Sequence, residues 1–174
     1  DMSTFICHNE CEIYCKNKKC NENSFWKNKI KIGRPKNWEP SLEKTKEWLD
    51  SEKKELDKIL QMLPDKFSKL NFDGFYRMEK SAFYVNPGAT SQSKSIVLYN
   101  NAFGHPAFKL DRVVVHELAH VIYLNFSKKE IESYQNQMQW KNDRGVFYRQ
   151  GPFLSSDAKE SPEEDFAVNI EHFL

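Results

Sequence analysis

The chain has 174 residues, 39% hydrophobic and 14% aromatic, with six Gly and seven Pro, which excludes a disordered or fibrous protein and allows one sizeable core. Its 26 Lys and Arg against 25 Asp and Glu leave a formal charge of +1, and only five of the positives are Arg (34, 77, 112, 144 and 149), which argues against a dedicated nucleic-acid binder. No apolar run approaches the roughly 20 residues of a membrane-spanning helix.

Residues 1 to 40 read as a cysteine-stapled basic arm, and 41 to 174 as the domain proper. From Lys16 to Lys36 eight positive charges accompany one negative, Glu22, so this stretch carries +7 and the rest −6. Such a run predicts a solvated arm, with an acidic partner or an anionic envelope as the alternative use. Cys7, Cys11, Cys15 and Cys20 are spaced C-x3-C-x3-C-x4-C. Two local disulfides are favoured over a four-thiolate zinc site, because the longer loop that separates the cysteine pairs of zinc sites is missing. Disulfides imply an oxidising compartment, and a chain opening at Asp1 without a charged and apolar leader reads as a secreted or periplasmic protein whose signal peptide has been removed.

Between Ser41 and Leu63 the residues Leu42, Leu49, Leu56 and Leu63 recur every seven positions, predicting a helix capped by Ser41 and ended by Pro64. Aromatic and β-branched residues then predict strands at 74 to 84 and 95 to 99, with turns at Asp73-Gly74 and Asn86-Pro87-Gly88 and a mobile polar loop at 90 to 95. A second apolar helix is expected over 106 to 125, a short one over 127 to 140, a loop over 141 to 161, and a last helix opening at Pro162 with Ser161 as its N-cap.

The second helix contains His116-Glu117-Leu118-Ala119-His120, an HExxH sequence. Residues i and i+4 share a helix face, so both imidazoles can reach one zinc ion, while Glu117 is offset to serve as a general base toward water activated there. Chance alone yields this pattern in a chain of this composition on the order of once in a hundred. Two His and a Glu in an apolar helix are also costly to bury unless paired or bound to metal. A catalytic zinc needs a third protein ligand. Tyr123 and Phe126 stand where an HExxHxxGxxH pattern needs Gly and His, so that pattern is excluded. The acids of Ser161-Pro162-Glu163-Glu164-Asp165-Phe166-Ala167 are the downstream candidates.

HELAH followed by Ser155-Ser156-Asp157-Ala158 and then by SPEEDFA resembles the gluzincin-type zinc metallopeptidases whose third ligand opens an E-D-F-A helix, the group that includes the anthrax lethal factor catalytic domain. The similarity covers roughly the last 70 residues. It implies an α+β, zincin-like fold: a small mixed sheet packed on helices, a zinc helix with HExxH, and a C-terminal ligand-bearing helix. It implies one Zn2+ held by His116, His120 and Glu164, with Glu163 the fallback ligand. It further implies a hydrolase that cuts protein or peptide substrates with Glu117 as general base. Val168 stands where this group often carries Glu, and Asp157 where it often carries the Tyr that donates to the oxyanion; Tyr148, Tyr134 and His105 are the substitutes within reach of sequence reasoning. Those two differences also keep open a zinc-binding interaction module of the same fold with weak or no catalysis. In the peptidase, an extended substrate is expected to add to an exposed edge strand, Ser95 to Tyr99.

Overall fold

The computed structural model describes residue 26 and residues 28–39, 43–82 and 85–174. The four cysteines and most of the basic stretch lie outside these residues. Among the described residues the architecture is α+β, with four helices, a three-stranded sheet and a separate hairpin.

The first helix, α1 (Asp50–Met62), begins nine residues later than the leucine spacing predicts. The preceding segment is extended instead: Thr45 forms an antiparallel bridge to Met78, and the Lys46 N–H donates to the Arg77 carbonyl at 3.0 Å. Burial explains the change, since Glu43 and Trp48 are both buried and the extended backbone satisfies its hydrogen bonds against the sheet. Glu52 caps α1 by accepting from the Leu49 N–H at 3.1 Å, and its other oxygen receives the Arg77 guanidinium at 2.9 Å. The helix stops at Met62, just ahead of Pro64, as expected.

Three short strands form one sheet. β1 (Gly74–Arg77) runs parallel to β3 (Ser95–Leu98), with Phe75 opposite Ile96, and β2 (Gly88–Thr90) runs antiparallel to β3, with Ala89 opposite Val97. The order β1-β3-β2 corrects two expectations. Ser95 to Leu98 is the central strand, paired on both sides, so the edge strand on one side is β2, which the turn signal Asn86-Pro87-Gly88 conceals. The polar stretch from Ser91 to Ser95 is a tight turn closed by Ser91 N–H to Ser95 O at 2.9 Å, not a mobile loop.

Alternation along the strands divides the core. Phe75, Ile96 and Leu98 join the main cluster, whereas Tyr76, Met78, Val97 and Tyr99 pack with Trp38 on the other face. The chain between Trp26 and Glu39 lies on this sheet too: Trp26 is buried against Phe72 and Phe75, and the Lys31 N–H donates to the Phe75 carbonyl at 2.8 Å.

α2 (Leu110–Asn125) is buried on most sides, and its Leu118, Ala119 and Ile122 belong to the main core. No described helix is long and apolar enough to cross a membrane. Ser127 and Glu130 form a reciprocal capping box at the start of α3 (Lys128–Gln137). The following segment, expected as loop, contains a hairpin of β4 (Lys141–Asp143) and β5 (Val146–Tyr148). α4 (Pro162–Phe173) begins as expected, with the Ser161 hydroxyl accepting from the Glu164 N–H at 3.1 Å.

Two features seat α4 against α2. Phe166 packs among Tyr123, Phe126 and Tyr134, with ring centroids 5.2 to 5.7 Å away. Asp165 is 1% exposed; it accepts from Trp140 Nε1 at 2.9 Å and Tyr134 OH at 3.2 Å and pairs with Arg149 at 3.3 Å. The E-D-F-A run therefore splits its work, with Asp165 and Phe166 fixing the helix and the two glutamates facing the histidines.

Candidate metal centre

His116 and His120 project from one face of α2, one helical turn apart, and α4 brings Glu164 across from them. The two Nε2 atoms are 3.2 Å apart, and the Glu164 carboxylate straddles them, with Oε2 3.5 Å from His116 Nε2 and Oε1 3.5 Å from His120 Nε2. Tetrahedral zinc with ligands at ~2.0 to 2.1 Å has ligand-to-ligand edges of about 3.3 Å, close to these spacings, so the three side chains could reach one such ion. Among the described residues, His116, His120 and Glu164 form a group of metal-ligating type whose ligand atoms all lie within 4.8 Å of one another.

Each histidine is held from behind. His120 Nδ1 is 3.0 Å from Glu163 Oε1, and His116 Nδ1 is 3.1 Å from Glu171 Oε2. A carboxylate on Nδ1 fixes the ring and its tautomer so that Nε2 points to the ion, the usual support of a metal-ligating histidine. The adjacent glutamates lie differently: the Glu164 carboxylate is against both Nε2 atoms, and Glu163 is against His120 Nδ1. Sequence reasoning missed Glu171, although a signal existed, because seven residues bring it back to the helix face of Glu164. The carboxylate lacking at Val168 is thus supplied one turn later, and Val168 is buried instead.

Glu117 lies beside the triangle, buried against β2. The Thr90 hydroxyl is 2.7 Å from Glu117 Oε2 and 3.1 Å from the Glu117 carbonyl, so its single proton goes to the nearer carboxylate. Gly88 permits this approach: a Cβ there would lie 2.9 Å from Glu117 Oε1 and 3.1 Å from Val113 Cγ1. The glycine that reads as a turn signal is needed because strand and base carboxylate touch.

The electrostatics follow from this packing. Burial pushes the Glu117 carboxyl above its ordinary range despite the two nearby imidazoles, as suits a proton acceptor. Burial works against the charged form of His116, but Glu164 and Glu171 outweigh it and raise the imidazole to about 10 without metal. His120 is likewise raised: burial opposes its charge, and Glu163, Glu117 and Glu164 overcome that opposition. Glu164 is held below the ordinary carboxylate range because the histidines outweigh its burial.

A cleft of about 1040 Å³ opens over the cluster, with Gly88 to Thr90 on one wall and Glu160 to Glu164 on another. The three expected oxyanion donors are not among its lining residues. Tyr134 is buried and committed to Asp165, Tyr148 is on the exposed hairpin, and His105 accepts from the Ala107 N–H at 3.2 Å. Donors that do line the cleft include Arg112, one turn before His116, His172 on α4, Lys109 and Asn86. Arg112 also donates to the Glu171 carbonyl.

Fold and cluster together define an α+β protein with two histidines and a glutamate converging from crossed helices beside a buried carboxylate. No protein-family model, curated protein or solved structure matches the chain.

Proposed function

We propose that the protein is a zinc-dependent endopeptidase of zincin-like fold that hydrolyses amide bonds of protein or peptide substrates. The observation that carries this reading is the convergence of His116 Nε2, His120 Nε2 and Glu164 at tetrahedral-edge spacing, with Glu117 offset beside them. The donor chemistry fits zinc: two imidazoles and one carboxylate leave a fourth position open, the arrangement of catalytic rather than structural sites. When bound, zinc polarises the scissile carbonyl and brings the ionisation of water near neutrality.

The chain's own residues supply the rest. Glu117 takes the proton of the attacking water, a step its raised affinity for protons favours, and passes it to the more basic leaving amine. Thr90 holds one carboxylate oxygen in place. Arg112, His172, Lys109 and Asn86 are candidate cleft donors to the developing oxyanion. β2 gives the substrate its track. Its alternate backbone groups bond β3, through Pro87 O to Tyr99 N and Ser91 N to Ser95 O, each at 2.9 Å. The N–H and C=O groups of Gly88 and Thr90 therefore point to the open edge, where an extended peptide can add as a further strand.

The test is Glu117→Gln, which should retain zinc stoichiometrically and lose hydrolysis by roughly 10² to 10⁴-fold. A variant that binds zinc and cleaves peptides at the native rate would eliminate Glu117 as the base. The absence of tyrosine from the described cleft-lining residues favours, as second reading, a zinc-binding interaction module without catalysis. Chelator-sensitive cleavage of a peptide mixture at defined sites would eliminate that module.

A further inference from the structure

A second cavity, of about 480 Å³, lies on the other face of the sheet from α2. Trp38, Tyr99 and Ala89 line it together with Glu43, which is only 3% exposed. The Glu43 carboxylate accepts three hydrogen bonds: from Trp38 Nε1 at 2.9 Å, from Tyr99 OH at 2.8 Å and from the Ala82 N–H at 2.9 Å. All three donors are neutral. Among the described residues no Lys or Arg side chain lines the cavity, and the Arg34 guanidinium donates to the Glu43 backbone carbonyl.

A buried carboxylate is ordinarily matched by a cation. Here the described residues supply three donors for its four acceptor sites, and the carboxylate borders an open space rimmed by further acceptors, Ser91, Ser93 and the Glu39 carboxylate. Lysine and arginine side chains carry donors only, and aromatic rings favour their charge.

The strand geometry links this cavity to the metal cleft. Gly88 and Thr90 face Glu117, whereas Ala89 packs with Trp38 and Tyr99 on the opposite face. A peptide added to the edge of β2 alternates in the same way: residues opposite Gly88 and Thr90 face the zinc helix, and the residue opposite Ala89 projects into the second cavity. The small Ala89 side chain leaves that entry open.

We propose that this cavity is a side-chain subsite for a lysine or arginine of a peptide bound along β2. The assignment rests on the peptidase reading for its substrate, but its test does not depend on turnover. Zinc-loaded Glu117→Gln protein is titrated with a set of short peptides in which one position at a time is Lys, Arg, norleucine or Glu. The expected result is about tenfold tighter binding when a single position is basic, with that preference lost in Glu43→Gln and in Ala89→Met, the latter filling the cavity without touching the carboxylate. Thermal unfolding and zinc stoichiometry of both variants check that they remain folded. Equal binding of basic and norleucine peptides overturns the subsite, as does a basic preference that survives in folded Ala89→Met. Cleavage by the wild type without any basic preference overturns the subsite and leaves the peptidase standing; selective binding without cleavage does the reverse.

Discussion

At the scale of single residues, the site is a set of four carboxylates with three different tasks in the proposed reading, and the tasks follow from position rather than residue type. Glu164 would donate to the metal, Glu163 and Glu171 sit against the imidazole Nδ1 atoms, and Glu117 is held beside them by Thr90. Replacing Glu163 or Glu171 with Gln should leave the fold intact and weaken zinc binding by about 10 to 100-fold, measured by competition with a chromogenic chelator. Replacing Thr90 with Val keeps shape and removes the hydrogen bond to Glu117. Its kcat should fall by about tenfold with KM little changed, because a charge-assisted bond is worth roughly 1.5 kcal/mol or more, and Thr90→Ser should restore the rate. A loss in Thr90→Ser with the native rate kept in Thr90→Val would show that packing of the methyl group, not the hydroxyl, matters.

At the scale of elements, the helix carrying Glu164 is controlled at its first turn. Ser161 caps it, Pro162 starts it, and Asp165 and Phe166 bind it to the core. Ser161→Ala should cost about 1 kcal/mol in denaturant unfolding, through the loss of the bond from the Glu164 N–H. Zinc affinity should fall with it, since the same turn positions the ligand; unchanged affinity would show that Phe166 and Asp165 suffice to place Glu164. The N-cap and Pro were legible in the sequence because capping is local. The start of α1 was not: Leu42 and Leu49 fit its heptad, yet Glu43 and Trp48 pull this segment into extended pairing with the sheet. β2 escaped notice for a related reason. Its three residues follow Pro87 and include Gly88, which read locally as a turn, while pairing with β3 and contact with Glu117 keep them in the sheet.

At the scale of the whole molecule, protons and zinc compete for one cluster, and they give stability opposite pH dependences. His116 is raised to about 10 in the folded, metal-free protein, so its protonation contributes stability that is fully present below its unfolded value near 6.5 and is lost as pH rises through about 10. Zinc needs the same nitrogens unprotonated, so its affinity increases over that range. The metal-free protein should therefore lose thermal stability from pH 7 to 10 relative to the zinc-loaded one, and zinc uptake near neutral pH should release protons, read as a calorimetric enthalpy that varies with buffer ionisation heat. Zinc at about 100 times its dissociation constant should add about 2.7 kcal/mol, which chelation removes. An enthalpy independent of buffer would mean that the imidazoles are already neutral and that Glu163 and Glu171 only orient them.

What the sequence determined by itself is the local chemistry: HELAH on an apolar helix, and a capped acidic helix downstream. Helical spacing and capping depend on neighbours within a turn or two, so His116, Glu117, His120 and the start of α4 could be read along the chain. The tertiary structure decided which acid meets which histidine, because Glu163, Glu164 and Glu171 differ only in how α4 is rotated against α2 by Phe166 and the buried Asp165. It also decided which strand is the edge, and that Gly88 and Thr90 reach the base carboxylate while Ala89 faces a second cavity. The contacts of the three glutamates with the histidines and of Thr90 with Glu117 join residues 27 or more positions apart, where the winning arrangement is set by core packing and hydrogen-bond satisfaction across the molecule, and no local pattern encodes them.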